Sequence, residues 1–320
     1  MPAVVSHYLL AERVYNQLTK TLPQLNRTAF LWGASGPDIF FAHRIMPWQQ
    51  EKSLARVSHV MHGGKPERLL NFLYFYADSK ENYVLLSYAF GFITHYAFDS
   101  LAHPYILDYA NKQAKDDKIN IPFLEDIKLS SVYHNQIEGY LDTLFLMKEK
   151  RIPISQFRIE KSCPKDEKCA KAIAEVLCAY IKAYSISPYV SEREIIRAQN
   201  DWYNCLVAIN DRFSLKKAFI SSCERLLKAP PLVSVFLRST DIDCTNDYAN
   251  LRHNEWISEA DDKKHHDSFF ELADKAEEKS LILTEKLLSG EFLTKDDCSE
   301  SFSGRRAGGV PPLSISRSSL

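Results

Sequence analysis

The sequence predicts an all-α protein arranged as a multi-helix bundle. Apolar residues recur at helical spacing along most of the chain, as at Leu69, Leu70, Leu73 and Tyr76. No segment sustains the alternation of apolar and polar residues that is typical of strands. Gly and Pro residues separate the apolar segments, which indicates turns between successive helices.

Helical segments are expected over about residues 6–20, from 65 onward, and over 81–102, 130–150, 165–186, 191–228 (in one or two pieces) and 259–289. Ser6 is a suitable N-cap for the first segment, and Pro66 suits the first turn of the second. Pro104 disfavours helical geometry at His103, so the third segment is expected to end or bend there. Residues 33–38 are rich in Gly and Pro and predict a loop that presents Asp38.

Composition excludes several classes of protein. The net charge is −1 and Lys and Arg are scattered, which argues against a nucleic-acid partner. All seven cysteines lie from Cys163 onward without a C-x-x-C pair, as expected of intracellular thiols. The first residues, M-P-A-V-V-S-H, do not have the pattern of a signal peptide, so a cytoplasmic protein is expected. The uncharged run over residues 83–98 is shorter than the roughly 20 residues that span a bilayer and predicts a buried helix.

The most informative stretch is G-F-I-T-H-Y-A-F-D-S-L-A-H, which places His95, Asp99 and His103 four residues apart. Residues at this spacing lie on one face of a helix. His134 and Glu138 repeat the spacing in the next predicted helix. Buried ionisable groups need partners, and a metal ion suits neutral imidazole and ionised carboxylate. Imidazole-rich sites with few carboxylates favour zinc over a di-iron centre.

Each pair also has a simpler interpretation. A single His on an apolar helix face is more often a hydrogen-bonded core residue than a ligand, and a helical core without metal remains the alternative. His43 and His59 lie near the proposed ligands but outside the pattern, and are typical of surface or core histidines. The run His265-His266-Asp267 follows charged residues and is expected on a solvated helix face.

Taken together, these motifs resemble the zinc-dependent phospholipase C family, which is related to the S1/P1-type nucleases. The resemblance rests on S-H-Y-L-L-A-E, G-A-S-G-P-D-I-F-F, V-M-H-G-G-K, H-Y-A-F-D-S-L-A-H and H-N-Q-I-E-G, in the family's order. It implies an all-helical fold and eight zinc ligands, which are His7, Asp38, His62, His95, Asp99, His103, His134 and Glu138.

The resemblance further implies how those ligands are shared among the ions. Asp38, His62, His95 and Asp99 would hold one zinc; His103, His134 and Glu138 would hold a second; His7 would hold a third with Asp99 as a bridge. In secreted members the free amine of the first residue helps to bind the third ion. Here that amine would come from Pro2, close to His7 in sequence, so two or three zinc ions are expected.

The implied function is hydrolysis of phosphodiester bonds by metal-activated water, with Asp38 as the catalytic residue. The substrate would be a phospholipid or a small phosphodiester, and the oligomeric state is left open. The alternative is a helical protein with a structural or ligand-binding zinc cluster and no turnover. Residues 1–150 are expected to form the metal-binding core, residues 151–297 to pack on it in the same domain, and residues 298–320 to form a disordered tail.

Overall fold

The computed structural model describes residues 4–116, 129–227, 229–238 and 246–307. These ranges contain the α-helices α1 Val4–Leu18, α2 Arg27–Ala34, α3 Ala55–Gly63, α4 Pro66–Asp78, α5 Tyr83–Asp116, α6 Leu129–Lys150, α7 Glu167–Ala183, α8 Glu192–Ile209, α9 Leu215–Leu226 and α10 Phe269–Leu288. Short 3-10 helices cover Gly36–Phe40, Pro47–Lys52, Ile154–Gln156, Ile159–Ser162 and Ser234–Phe236. The all-α fold class is confirmed. No described helix is long and apolar enough to cross a membrane.

The only β structure in the described ranges, apart from isolated bridges, is one small hairpin. Strand β1 (Trp256–Ile257) pairs antiparallel with β2 (Lys264–His265), so that Trp256 lies opposite His265. The last predicted helix therefore begins at Phe269 and not at residue 259. Ser268 and Glu271 form a capping box there, so the S-x-x-E pattern in the sequence marks the start of this helix. The expectation of a helix face for the His265 run is wrong for the same reason.

Helix α5 is the centre of the fold. It contacts α1, α2, α4, α6, α7 and α10, so helices from both sides of residue 150 pack on it. Its aromatic residues Phe90, Phe92 and Tyr96 are completely buried. Burial of this apolar area is the main favourable term for the bundle. The proposed boundary at residue 150 stays a prediction.

Helices α2 and α5 approach each other more closely than side chains normally allow. Gly33 on α2 and Gly91 on α5 lie at the crossing. A Cβ atom at Gly91 would overlap the carbonyl oxygen of Phe30, and one at Gly33 would overlap the carbonyl oxygen of Tyr88. The two glycines therefore set how deeply α2, and the segment that follows it, pack against α5.

Helix α5 does not end at His103 but continues through Pro104 to Asp116. Proline removes one helical hydrogen bond and costs about 3 kcal/mol inside a helix. The residues beyond it offset that cost because Tyr105, Ile106 and Ala110 are at most 2% exposed. The Tyr105 hydroxyl also donates to the carbonyl oxygen of Tyr248 at 2.7 Å. Tertiary packing thus overrides the local preference.

Two local expectations near the N-terminus need correction. Helix α1 already includes Val4, so Ser6 is not its N-cap. The Ser6 N–H and hydroxyl instead donate to Oδ1 of Asp142 on α6, at 2.8 and 2.9 Å. Asp38 lies in the 3-10 helix Gly36–Phe40 and not in an irregular loop, and it is 1% exposed.

The described part of the C-terminal segment is packed into the fold. Cys298 and Phe302 are completely buried and Ser301 is 3% exposed. The prediction of disorder is therefore wrong for residues 298–307. Its small polar residues suggested solvent exposure, but one aromatic side chain anchors them in the core. Residues 308–320 lie outside the described ranges.

The loop of residues 44–53 is held at its base by buried His43. The Ser53 hydroxyl donates to the His43 carbonyl oxygen at 2.7 Å, and the Leu54 N–H donates to His43 Nδ1 at 2.8 Å. His43 Nε2 therefore carries the proton and donates to Glu194 at 3.0 Å. Arg44 has the unusual φ of 53° and is held by two hydrogen bonds to the same carboxylate.

We expect Gly91→Ala to destabilise the protein even though alanine is the better helix former. Alanine would add about 1 kcal/mol through helix propensity alone, whereas overpacking a closed contact costs about 1–3 kcal/mol or more. Urea unfolding monitored by circular dichroism measures the balance. Gly139→Ala on α6 is the comparison and should lose less stability, because a Cβ there would approach a side-chain nitrogen of Arg238 at 3.0 Å and no backbone atom closer than 3.9 Å. Increased stability of Gly91→Ala would contradict the close crossing.

His43 is expected to make stability decrease toward acidic pH. Burial lowers its pKa from 6.5, although Glu194 opposes this. The folded protein then binds fewer protons than the unfolded chain just below pH 6.5, so this contribution is complete above that value and is lost as the pH falls through the lower folded pKa. The free energy of unfolding is measured against pH for the wild type and for His43→Gln, whose residue 43 stays neutral. The difference between the two removes the effects of the histidines that both proteins share. A difference that does not change between pH 7.5 and 5 would contradict this role.

Candidate metal centre

The structure brings all eight predicted ligand residues into one region. They come from five elements: His7 from α1, Asp38 from the 3-10 helix after α2, His62 from α3, His95, Asp99 and His103 from α5, and His134 and Glu138 from α6. Their ligand atoms form three groups, each with all atoms within 4.8 Å of one another: His7, His95 and Asp99; Asp38, His62 and His95; and His103, His134 and Glu138. The assignment of these residues as ligands stays a prediction.

Asp99 lies at the centre of the first two groups. Its Oδ1 is 3.0 Å from His7 Nε2, and its Oδ2 is 3.1 Å from His95 Nε2 and 3.8 Å from His62 Nε2. His62 Nε2 is in turn 3.1 Å from Asp38 Oδ1. The grouping differs slightly from the one implied by the resemblance, because His95 lies between His7 and Asp38.

Glu138 organises the third group in the same way. Its Oε1 is 3.0 Å from His134 Nε2 and 3.5 Å from His103 Nε2. His134 and Glu138 share one face of α6 through their four-residue spacing, and His103 reaches them from α5. The helical spacing seen in the sequence therefore places these donors side by side.

Backbone carbonyl groups orient three of the imidazole rings. The Nδ1–H group donates at 2.7–2.9 Å in each case, from His95 to Ala34, from His62 to Ser58 and from His103 to Phe302. Each bond leaves Nε2 pointing into the site as the nitrogen that can bind a metal ion. Such hydrogen bonds fix the tautomer of metal-binding histidines and raise their basicity.

Gly36 makes room for one of these rings. Its φ is +51°, which favours glycine, and a Cβ atom there would overlap the ring of His95. The turn at Gly36 therefore lets the Asp38 segment pass directly over His95. The Gly-Pro pair before Asp38 has a structural purpose that the sequence shows only as a break in the helix.

The donor set fits zinc. Five buried polar atoms in the site have no hydrogen-bond partner: His7 Nδ1, Asp38 Oδ1, His95 Nε2, Asp99 Oδ2 and Glu138 Oε2. Buried polar atoms are rarely left unpaired in folded proteins. His95 Nε2 and Asp99 Oδ2 are 3.1 Å apart without the geometry of a hydrogen bond. Two ligands of one zinc, each about 2.0–2.2 Å from the ion, have similar separations.

The charges in the site also favour a bound cation. Within the described residues, the ion-pair partners of Asp38, Asp99 and Glu138 are all histidines. Burial alone would raise the pKa of Asp99, but His103, His95 and His7 hold it well below its usual range. Burial likewise opposes ionisation of Glu138, and His134 and His103 lower its pKa.

His103 carries the matching positive charge. Burial would lower its pKa, but Asp99, Glu138 and the Phe302 carbonyl group together raise it to about 10. In the protein without metal, the protonated His103 imidazole therefore offsets part of the negative charge of Asp99 and Glu138. A cation bound among these residues takes the place of that proton.

Phe302 is the site residue that the sequence gave no reason to select. Its ring centroid lies 5.9 Å from those of His62 and His95, and its carbonyl oxygen accepts from His103. Ala34 and Ser58 likewise contribute only backbone groups. Any residue has a carbonyl group, so no residue type could have marked these positions. That Phe302 is the one aromatic residue in the tail favours its burial but does not indicate a role at the site.

An open cleft of about 410 Å³ leads to the cluster. Five predicted ligands line it, namely Asp38, His62, His103, His134 and Glu138. Its walls also include Phe41, His59, Asn111, Ser303 and Arg305. His7, His95 and Asp99 are at most 5% exposed and lie behind these residues. The region thus has a closed floor and an accessible face, and His59 belongs to the accessible face.

Comparison with known proteins supports the family suggested by these residues. A family model described as zinc dependent phospholipase C matches residues 6–187, which include all eight predicted ligands. No curated protein and no solved structure matches the chain. The matched range runs from the first turns of α1 to just beyond α7 and covers more than half of the sequence. The chain therefore belongs to the zinc-dependent phospholipase C family.

Proposed function

We propose that this protein is a zinc-dependent hydrolase that cleaves phosphodiester bonds in the manner of a phospholipase C. The observation that carries the proposal is the 410 Å³ cleft, which is lined at one end by five of the eight predicted ligands. Structural zinc sites are closed, whereas catalytic sites leave a position open to water or substrate. The family match supports the same class of reaction.

Two or three zinc ions are proposed to bind among the eight residues. The first set of nitrogen and oxygen ligand atoms comes from Asp38, His62, His95 and Asp99. The second set comes from His103, His134 and Glu138. His7 adds a further ligand atom beside Asp99. When bound, zinc stabilises negative charge on phosphoryl oxygens and lowers the pKa of water to near neutrality.

Asp38 is the proposed catalytic residue. Its Oδ1 is buried, has no hydrogen-bond partner and belongs to a residue that lines the cleft. A carboxylate oxygen at this position can orient the attacking water and accept its proton. The water oxygen forms a bond to phosphorus as the bond from phosphorus to the alcohol oxygen breaks, and the alcohol takes up a proton and leaves through the cleft.

Arg305 gives the cleft a positive group at its wall. It is the one Lys or Arg residue among the described residues that line the cleft, and it also pairs with Glu259 at 2.9 Å. A guanidinium group suits the anionic phosphodiester. A phospholipid or a small soluble phosphodiester is therefore the proposed class of substrate.

A zinc cluster without turnover is the second candidate function. His95 and Asp99 are at most 2% exposed and His7 is 5% exposed, as is typical of a structural site. His103 and His134 distinguish the two candidates, because their side chains are 12% and 21% exposed and a purely structural role does not require accessible ligands.

Asp99→Asn tests the metal cluster and its activity together. We expect the variant to lose most of its zinc and to hydrolyse bis-(4-nitrophenyl) phosphate roughly 100-fold more slowly, because Asp99 lies 3.0–3.8 Å from four of the predicted ligand histidines. Elemental analysis and a chromogenic assay, with and without chelator, measure both effects. Asp211→Asn changes a carboxylate that is equally buried but lies outside the site, and should retain its zinc. Full zinc content and full turnover in Asp99→Asn would disprove the assignment; zinc-loaded wild type without turnover would favour the structural cluster.

The C-terminal segment is expected to position His103. Removing residues 298–320 eliminates the Phe302 carbonyl group, and loss of such a hydrogen bond typically weakens metal binding about 10–100-fold. Removing only residues 308–320 leaves Phe302 in place and should preserve zinc affinity. Competition with a fluorescent zinc chelator compares the two proteins, and circular dichroism checks that both are folded. Equal affinities would show that Phe302 does not act through His103.

A further inference from the structure

Ile45, Met46 and Trp48 form an exposed apolar tip on the 44–53 loop. Their exposed fractions are 55%, 48% and 79%. The other three tryptophans of the chain are at most 4% exposed. Large apolar side chains grouped at the surface are a common sign of a binding site, since removing their area from water is favourable.

The loop presents this tip from a rigid base. His43 ties Ser53 and Leu54 to the start of the loop through its carbonyl oxygen and Nδ1. The Arg44 N–H donates to Asp201 at 3.1 Å, while its guanidinium group pairs with Glu194. Both ends are thus attached to buried structure or to α8. The exposure of the tip is therefore built into the fold.

The loop that carries the tip is flanked in sequence by two residues of the cleft. Phe41 precedes the loop and His59 follows it on α3, and both residues line the cleft. Their rings meet edge to face, with centroids 5.1 Å apart. Val60, which follows His59, is itself 41% exposed. The loop is consequently joined to the cleft at both ends.

The size and charge of this surface favour a lipid bilayer over a protein partner. The tip offers a few hundred Å² of apolar area, whereas a stable protein interface buries about 800 Å² on each partner. Tryptophan is preferred at the membrane–water interface. Lys52 and Arg56 are exposed and form no ion pair among the described side chains, so they can meet anionic headgroups.

We propose that the apolar tip of the 44–53 loop inserts into the surface of a phospholipid bilayer and brings the cleft to substrate within it. This inference rests on the proposed function and narrows it from phosphodiesters in general to phospholipids in membranes. A second exposed apolar face, on α9, contains Phe219 (71% exposed) and Leu226 (84% exposed). No described α9 residue lines the cleft, so that face serves as the matched control.

Binding is tested by tryptophan fluorescence with vesicles of phosphatidylcholine and phosphatidylglycerol that carry brominated acyl chains. Rapid mixing records the signal before products accumulate. Because Trp32, Trp202 and Trp256 are buried, quenching in the wild type should come from Trp48. Trp48→Phe should abolish the quenching and still sediment with vesicles. The amount of Ile45→Ser/Trp48→Ser that sediments with the vesicles should be at least about tenfold lower than for the wild type. Phe219→Ser/Leu226→Ser should behave as the wild type.

Hydrolysis separates docking from chemistry. Ile45→Ser/Trp48→Ser should cleave soluble bis-(4-nitrophenyl) phosphate at the wild-type rate. It should cleave vesicle phospholipid at least about tenfold more slowly than the wild type. Quenching by Trp48 without hydrolysis of either substrate would sustain docking and reject the proposed function. The docking proposal would be overturned by any of three results: the wild type does not bind vesicles, Ile45→Ser/Trp48→Ser binds them as the wild type does, or only the α9 control loses binding.

Discussion

The ionised carboxylate of Asp99 is the constraint on which the rest of the structure depends. It is 2% exposed in the middle of an apolar helix, and a buried charge is tolerated only when it is paired. Helix α5 itself supplies His95 and His103. The remaining partners, His7 and His62, must come from α1 and α3, so those elements have to reach the same point on α5. The helices are therefore arranged around a charge as well as around an apolar core.

This requirement explains the unusual local features near the site. Gly33 and Gly91 let α2 lie close enough to α5 for the following segment to reach the cluster, and Gly36 lets that segment pass over His95. The carbonyl groups that orient His62, His95 and His103 come from α3, α2 and the C-terminal segment. Because these bonds hold each ring with Nε2 toward the site, the cluster is arranged for a cation before one binds. Binding a cation there stabilises the folded state over the unfolded chain, where no such site exists.

The sequence was sufficient where the relevant physics is local. The four-residue spacings of His95, Asp99 and His103 and of His134 and Glu138 follow from helical geometry, and both groups lie as that geometry requires. It was insufficient where a distant contact decides. Pro104 remains inside α5 because later residues are buried, and the tail around Phe302 is ordered because one ring enters the core. The contribution of a backbone carbonyl group has no residue type of its own and appears only once the chain is folded.

The division of the site into a closed floor and an open cleft links these constraints to function. His7, His95 and Asp99 are buried behind the cleft, where low exposure strengthens every interaction with a cation. The face toward the cleft includes Ser303 and Arg305, which lie beyond the residues matched by the family. The residues of the closed floor all lie within the range that the family model matches. The wall of the cleft is built in part from residues outside that range, so a preference among substrates that is not common to the family has to be sought in the cleft walls.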